Sequence, residues 1–166
     1  MITIREYTED DVEYVGRLIA DTYTQFNLAY LPPEDLKSGL GPFRHAWSLE
    51  KAHQEEIARM IRSEWVFVAE DDAEIVGVLR GRKERLASLF VRGDHHRQGI
   101  GRMLVERFEL ECKKYAPMAI RLAATVYGVP FYTAMGYKKS TGLRSSWSFD
   151  FRGLPTQPMR KLLKAD

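Results

Sequence analysis

Three β-rich segments follow one another between residues 65 and 92, with only short connections between them. They cover residues 65–70, 75–82 and 85–92, and the acidic turn Asp71-Asp72 separates the first two. So short a connection cannot hold a crossover helix, so consecutive segments must pair as antiparallel neighbours. The chain is therefore predicted to fold around an antiparallel sheet.

Two helices are predicted ahead of these strands. Residues 2–7 form a short strand, and Thr8 with Asp11 resembles a capping box that opens a helix running towards Tyr23. Proline and glycine residues mark 31–42 as a loop. Ser48 caps a second helix that ends near Ser63. This helix carries five residues at roughly helical spacing: Leu49, His53, Ile57, Met60 and Ile61.

The most regular helical pattern comes after the strands, over residues 99–115, and Pro117 follows its end. Its apolar face consists of Ile100, Met103, Leu104, Phe108 and Cys112. A strand over 119–124, a short helix over 130–135 with Gly136 at its C-cap, and a strand from Tyr137 are then predicted. Residues 145–151 alternate like a strand, and the tail beyond them has no definite pattern. This order indicates an α/β (α+β) fold in one domain of residues 1–166.

Composition narrows the class of protein. The 166 residues include 25 Lys and Arg against 23 Asp and Glu, a formal charge of +2, so no nucleic-acid partner is expected. Cys112 is the only cysteine, which excludes an internal disulfide framework and a thiolate metal cluster and favours a reducing compartment. No long apolar run or secretory leader is recognisable. We therefore expect a cytoplasmic protein with no membrane partner.

The stretch from Leu89 to Arg102 combines an apolar strand, a polar loop and a helix start. Unpaired amides and the helix dipole favour an anion at such a point, and Gly99 and Gly101 would let a phosphate approach the backbone. Arg97 and Arg102 would add charge-assisted hydrogen bonds. A P-loop sequence is absent, and Leu104 stands where a dinucleotide fingerprint needs its third glycine. A glycine-rich helix start with solvated arginines remains the alternative.

The run His96-Arg97-Gln98-Gly99-Ile100-Gly101 resembles the pyrophosphate motif of the GNAT superfamily of acetyl-CoA-dependent N-acetyltransferases. The first position departs from the family, which has Arg or Gln there. The resemblance implies that Arg97, Gln98, Gly99, Gly101 and Arg102 bind the coenzyme pyrophosphate. It also implies that Leu89, Phe90 and Val91 line the pantetheine arm, with a backbone N–H near Phe90 facing the thioester carbonyl.

A second segment, residues 129–137, resembles the family's aromatic-Tyr, three residues, Gly-aromatic signature. By this resemblance Tyr132 is the catalytic acid that protonates the departing thiolate, which suits a phenol of pKa about 10. An aromatic core residue beside Phe131 is the competing interpretation. The family's Asn after its fifth strand is missing, and either Thr125 or Tyr127 could supply a hydroxyl there.

The resemblance implies a GNAT-like fold: a mixed, mostly antiparallel sheet flanked by helices, with central strands splayed around the coenzyme. It implies direct acetyl transfer from acetyl-CoA, the cosubstrate, to a primary amine of a small molecule or peptide, and relatives often pair as homodimers. No metal is expected. The alternative is a non-catalytic acyl-CoA-binding or interaction module.

Several residues keep two interpretations. Glu70 is the nearest plausible carboxylate for a general base, although a solvated strand end is favoured, so no base is assigned. His95 and His96 are interpreted as polar loop residues rather than metal ligands. The basic run of Arg80, Arg82, Lys83 and Arg85 could meet a coenzyme phosphate or an acidic partner, and a solvated hairpin end is favoured.

Four aromatic residues in the variable region after the first helix also keep two interpretations. They could line an acceptor pocket or simply pack the loop. They are Phe26, Tyr30, Phe43 and Trp47.

Overall fold

The structure is a computed structural model that describes residues 1–115, 119–148 and 151–164. One sheet of eight strands runs in the order β1-β2-β3-β4-β5-β8-β6, with β7 paired to β8. The strands are β1 Ile2–Glu6, β2 Trp65–Asp71, β3 Glu74–Arg82, β4 Arg85–Val91, β5 Ala119–Thr125, β6 Lys138–Lys139, β7 Arg144–Ser148 and β8 Phe151–Leu162. Among the strand pairs of the described residues, β4–β5 alone is parallel. The antiparallel order of the three central strands is confirmed.

Helices cover both faces of the sheet. They are α1 Val12–Thr22, α2 Pro33–Leu40, α3 Lys51–Ile61, α4 Ile100–Lys113 and α5 Val129–Ala134. One core lies between the sheet and α4, and a second lies between the sheet and helices α1 and α3. We call these two surfaces of the sheet the α4 face and the α1 face.

The first helical region begins as predicted. The Asp11 carboxylate accepts a hydrogen bond from the Thr8 backbone N–H at 2.8 Å, and the capping box is present. It closes a 3₁₀ turn, Glu9–Asp11, that leads into α1. The helix then continues past its predicted end as a π-helical segment, Tyr23–Asn27.

Helix α2 was missed, because prolines and glycines predicted a loop there. Pro33 occupies the first turn, where a missing N–H costs nothing, and Glu34 and Asp35 complement the helix dipole. The helix ends at Gly41, whose φ is +53°. The glycine therefore terminates a helix rather than marking a loop.

The predicted Ser48 cap is wrong. Glu50 is the N-cap of α3, and the Ser48 hydroxyl accepts from the Glu50 backbone N–H at 3.2 Å. Leu49, which the pattern placed on this helix, is 83% exposed, because the helix begins two residues later.

The long strand β8 was also missed beyond the alternation predicted over 145–151. Residues 149 and 150 of that predicted segment lie outside the described residues. Pro117, which was predicted to follow the end of the helix over 99–115, also lies outside them. Strand β8 carries Gly153, Pro155 and Pro158, and such residues hide a strand pattern.

Helix α4 packs closely against β3 and buries its predicted apolar face, except that Met103 is 36% exposed. A Cβ added at Gly81 would lie 2.4 Å from the Phe108 ring, so only glycine permits this approach. Cys112 is fully buried in the same core, where burial raises the pKa of its thiol to about 11. The thiol is therefore protonated at neutral pH, as expected of a core residue rather than a nucleophile.

Candidate active site

Strands β4 and β5 pair at a single position, Arg85 with Arg121. The Arg121 N–H donates to the Glu84 carbonyl at 2.9 Å at this end. Beyond it the two strands separate towards their C-terminal ends, which leaves a wedge-shaped opening. We call this opening the β4–β5 gap.

Backbone groups face the gap at alternate positions of β4. The Arg92 N–H donates to the Val76 carbonyl at 2.8 Å, so Arg92 faces β3. The pairing of Val78 with Phe90 continues this register, so the Phe90 N–H also faces β3. The N–H and C=O groups of Leu89 and Val91 therefore point into the gap.

A bulge in β4 sets which side chains flank the gap. Arg80 pairs with Ser88 and Gly81 with Leu86, so Ala87 is the extra residue in β4. As a result Ser88 and Phe90 face the α1 face, while Leu89 contacts the core on the α4 face.

The glycine loop connects β4 to α4 through left-handed residues. Arg97 has φ of +65°, and Gly99 has φ of +83° as the N-cap of α4. Alternation of this kind turns backbone N–H groups into a concave anion-binding site, a nest, directly before a helix N-terminus. A Cβ at Gly99 would meet no atom within 4 Å, so the space above the loop is open. The first amides of α4 can therefore receive an anion.

Two of the five predicted pyrophosphate residues already have protein partners. Gln98 Nε2 donates to the Asp94 carbonyl at 3.1 Å, which braces the loop. Arg102 lies 3.8 Å from Glu106, an exposed pair of little energetic weight. The Arg97 side chain has no ion-pair partner within the described ranges of the chain and is free to meet an anion.

Gly101 brings α5 against the glycine loop. A Cβ there would lie 3.1 Å from two atoms of the Phe131 ring. The lack of a side chain at Gly101 therefore lets the Phe131 ring pack close to the start of α4. This contact places Tyr132, the next residue of α5, beside the gap.

The Tyr132 ring is buried, 8% exposed, and lies roughly perpendicular to the rings of Phe131 and Tyr137. Gly128 and Thr125 lie next to it at the end of β5. Burial raises the pKa of Tyr132 above its usual value, so the phenol is protonated at neutral pH. The ring is thus part of the core, as one interpretation predicted.

The hydroxyl of Tyr132 has no hydrogen-bond partner among the residues that the structure describes. In the same residues, two fully buried side-chain polar atoms lack a hydrogen-bond partner, the Tyr7 hydroxyl and Arg17 Nε. The Tyr132 hydroxyl is not one of them, so it keeps access to the space outside the core. The geometry is compatible with an acid that acts on a ligand in the gap.

The π-helical segment Tyr23–Asn27 crosses the wide end of the gap on the α1 face. Phe26 packs between His96, with ring centroids 4.5 Å apart, and Tyr127, at 5.3 Å. Asn27 Nδ2 donates to Thr125 Oγ1 at 2.7 Å. These contacts tie the loop after β4 to the end of β5, so Thr125 and Tyr127 both contribute here.

His96, which departs from the family motif, has a defined role. Its Nε2–H donates to the Val91 carbonyl at 2.7 Å and so satisfies one backbone group that faces the gap. His95 contacts different residues: its ring nitrogens lie 2.7 Å from Asp94 and 3.3 Å from Asp71. The two histidines therefore act separately, as polar loop residues. No cluster of three potential metal ligands occurs in the described residues.

Two other sequence candidates lie away from the gap. Glu70 accepts from Arg5 at 2.7 Å on β2, two strands from β4, and so does not face the gap. The basic hairpin at Arg82 and Arg85 lies at the opposite end of β4 from the glycine loop, about 20 Å away at 3.3 Å per residue. A coenzyme phosphate at the loop would not reach it.

The four aromatic residues of the variable region divide between the two interpretations. Phe43 is fully buried, whereas Tyr30 and Trp47 are each 55% exposed. Phe43 and Trp47 border a cleft of about 730 Å³ between the end of α1 and residues 92–94. Its lining includes no residue of β5 or α5, so this cleft is distinct from the gap.

The described sheet is thus a mixed sheet whose parallel pair opens beside a glycine loop and a helix start. The sequence profile of the acetyltransferase (GNAT) domain matches residues 9–163. The chain therefore belongs to the GNAT acetyltransferase family. No curated protein sequence matches it significantly.

Solved structures share this fold at low sequence identity. A GCN5-related N-acetyltransferase from Rhodopseudomonas palustris is 15% identical with a TM-score of 0.80, over 97% of this chain and 95% of that one. The PaiA N-acetyltransferase of Thermoplasma acidophilum in complex with coenzyme A is 20% identical with a TM-score of 0.73, over 98% and 99%. Naa20 of Chaetomium thermophilum in complex with a bisubstrate analogue is 19% identical with a TM-score of 0.65, over 99% and 88%.

The predicted fold and family are thus confirmed. No helix of the described residues has the length and apolar character needed to cross a membrane.

Proposed function

We propose that the chain transfers the acetyl group of acetyl-CoA directly to a primary amine, with the thioester held in the β4–β5 gap. The observation that carries this proposal is the gap itself, where the N–H groups of Leu89 and Val91 and the carbonyl of Leu89 face the opening that leads to the glycine loop. A pantetheine arm carries amides that can pair with such an edge, as an added strand would. The solved PaiA complex with coenzyme A supports the choice of ligand.

The loop residues would hold the pyrophosphate. The amides at the start of α4 and the left-handed turn at Gly99 provide the anion site, and Arg97 adds a positive charge. The Gln98 side chain stabilises the loop through its hydrogen bond to the Asp94 carbonyl, and Gly101 allows α5 to pack close to it. Arg102 can exchange its exposed contact with Glu106 for a phosphate. Phe90 contributes through its side chain, which packs edge-on against Tyr23 on the α1 face.

The reaction needs an oxyanion donor and an acid. The amine nitrogen attacks the thioester carbonyl carbon, the C–S bond breaks, and the sulfur takes a proton. A backbone N–H of Leu89 or Val91 would stabilise the developing oxyanion, since both face the gap whereas that of Phe90 faces β3. Tyr132 would supply the proton to sulfur and regain one from the acceptor amine through solvent.

The acceptor is a small-molecule or peptide amine, and the site of action is the cytoplasm, in line with one buried cysteine and a reducing compartment. A homodimer is compatible with the fold. A non-catalytic coenzyme-binding module is the second candidate. Against it stands the Tyr132 hydroxyl, which has no hydrogen-bond partner among the described residues, because a tyrosine buried for packing alone usually has one.

Release of free thiol from acetyl-CoA tests the proposal across small amines, peptides and aminoglycosides, with a no-acceptor control. Acceptor-dependent release, together with an acetylated product by mass spectrometry, is expected. Stabilisation of the protein by coenzyme A without any acceptor-dependent release would favour the binding module instead.

A further inference from the structure

Five cations stand side by side across the sheet at the narrow end of the gap. The strand register pairs Arg82 with Arg85, Arg85 with Arg121, Arg121 with Arg160, and Arg160 with Lys138. Directly paired residues project from the same face of a sheet, and neighbouring strands lie about 4.8 Å apart. The five charges therefore form one row about 19 Å long, which we call the cation row.

The row projects from the α1 face. Gly81 points towards Phe108 of α4, so the next residue, Arg82, points away from α4. Ile120 and Leu122 on β5 lie in the core beneath α4, so Arg121 between them faces the other side. All five side chains are exposed. This is the face from which an acceptor can reach the gap without crossing α4 and α5.

No carboxylate of the described residues forms an ion pair with the row. None of its five side chains forms a salt bridge or a hydrogen bond there, although the chain forms many ion pairs elsewhere. Two acidic residues lie at the hairpin: Glu64 accepts from the Lys83 backbone N–H at 3.1 Å, and Glu84 is in the turn. Like charges directly opposite one another destabilise a sheet, so an anion that binds across the row would relieve this repulsion.

A sixth cation extends the row towards the gap. Arg80 pairs with Ser88, two positions along β4 from Phe90, and its guanidinium donates to Ser88 Oγ at 3.3 Å and to the Ile61 carbonyl at 2.8 Å. Arg80 also lacks a carboxylate partner among the described residues. Positive charge thus continues from the exposed row to the edge of the opening.

We propose that the cation row binds an acidic peptide segment of the acceptor, so that an amine beside that segment enters the β4–β5 gap from the α1 face. This inference rests on the proposed function, because it assumes that acetyl transfer occurs in the gap. A peptide fits better than a nucleic acid for two reasons. The net charge of +2 is low for a nucleic-acid binder, and a peptide supplies the aliphatic amine that the reaction consumes.

The test compares two peptides with one free N-terminal amine each, one followed by a run of glutamates and the other by glutamines. Initial rates are measured at saturating acetyl-CoA. For the wild type, the KM of the glutamate peptide should be about fivefold lower, or more, and should rise with salt. The Arg121→Gln/Arg160→Gln variant should lose this preference while keeping kcat with the glutamine peptide.

The Lys37→Gln/Arg59→Gln variant is the matched control, because it removes two exposed cations outside the row. It should keep the preference for the glutamate peptide. Equal KM values for the two peptides, or an unchanged preference in the Arg121→Gln/Arg160→Gln variant, would overturn the inference.

Fluorescence anisotropy of the labelled glutamate peptide separates this inference from the proposed function. If the wild type acetylates no amine, the proposed function fails. Peptide binding that the Arg121→Gln/Arg160→Gln variant loses would still support the cation row as a binding surface for acidic peptides. Displacement of the peptide by a single-stranded oligonucleotide of equal charge at far lower concentration would identify a nucleic acid as the occupant and overturn the peptide assignment.

Discussion

Replacement of Tyr132 by phenylalanine removes one hydroxyl and leaves the ring in place. That hydroxyl has no partner in the described residues, so the free energy of unfolding should change by less than about 0.5 kcal/mol. General acid catalysis is worth about 10² to 10⁴ in rate, and a thiolate is a fair leaving group, so kcat should fall about a hundredfold. The coenzyme Kd should stay the same.

Tyr137, whose ring lies 5.8 Å from that of Tyr132, provides a matched control. Its hydroxyl donates to Glu109 Oε1 at 3.1 Å, and Lys161 holds the same carboxylate at 2.8 Å. Tyr137→Phe should therefore lower the free energy of unfolding by about 1–2 kcal/mol, because a hydrogen bond to a charged group is lost, while kcat changes little.

The assay combines thiol release at saturating acetyl-CoA with thermal unfolding of each variant. The two variants should show opposite patterns, one losing rate and the other losing stability. A Tyr132→Phe enzyme with wild-type kcat would refute the acid role. A variant that unfolds at a much lower temperature than the wild type would show that the hydroxyl has a structural partner.

Three further predictions follow from the geometry. Gly99→Ala should cost about 1 kcal/mol of stability, because Gly99 has a left-handed φ. It should also weaken coenzyme binding about tenfold in calorimetry, because the added Cβ enters the open space above the loop. An unchanged affinity would show that the anion binds elsewhere. Gly101→Val should lower the melting temperature through overpacking of about 1–3 kcal/mol against Phe131, and a variant as stable as the wild type would contradict the 3.1 Å approach. Hydrogen bonds from Arg5 lower the pKa of Asp11 below its usual 3.8. The stability that this carboxylate contributes is present above pH 3.8 and is lost as the pH falls through the pKa of the folded protein. In denaturant titrations, Asp11→Asn should therefore lose less stability than the wild type over this acid range. An identical acid profile would contradict the Asp11 assignment.

The central part of the fold could be predicted because local signals there agree with the tertiary structure. Three short-linked strands and the apolar stripe of α4 leave few alternatives, and all four elements lie where the patterns place them. Prediction failed where local signals conflict. Helix α2 combines helix-start residues with glycines, and β8 contains prolines that interrupt its alternation.

The candidate site was only partly accessible from sequence. The glycine loop and Tyr132 are recognisable as motifs, because they lie in short contiguous segments. The tie formed by Phe26, Asn27 and Thr125 joins residues almost a hundred positions apart, which no local pattern reveals. The cation row likewise depends on strand register, which is set by the bulge at Ala87 and by pairing across β8.

Amide hydrogen exchange with and without acetyl-CoA tests the central claim, that the coenzyme lies in the β4–β5 gap, most directly. We predict that the coenzyme slows exchange of the Leu89 and Val91 amides and of the first amides of α4. The Phe90 amide, already paired with β3, should change little. Protection of other segments, with Leu89 and Val91 unaffected, would contradict the account.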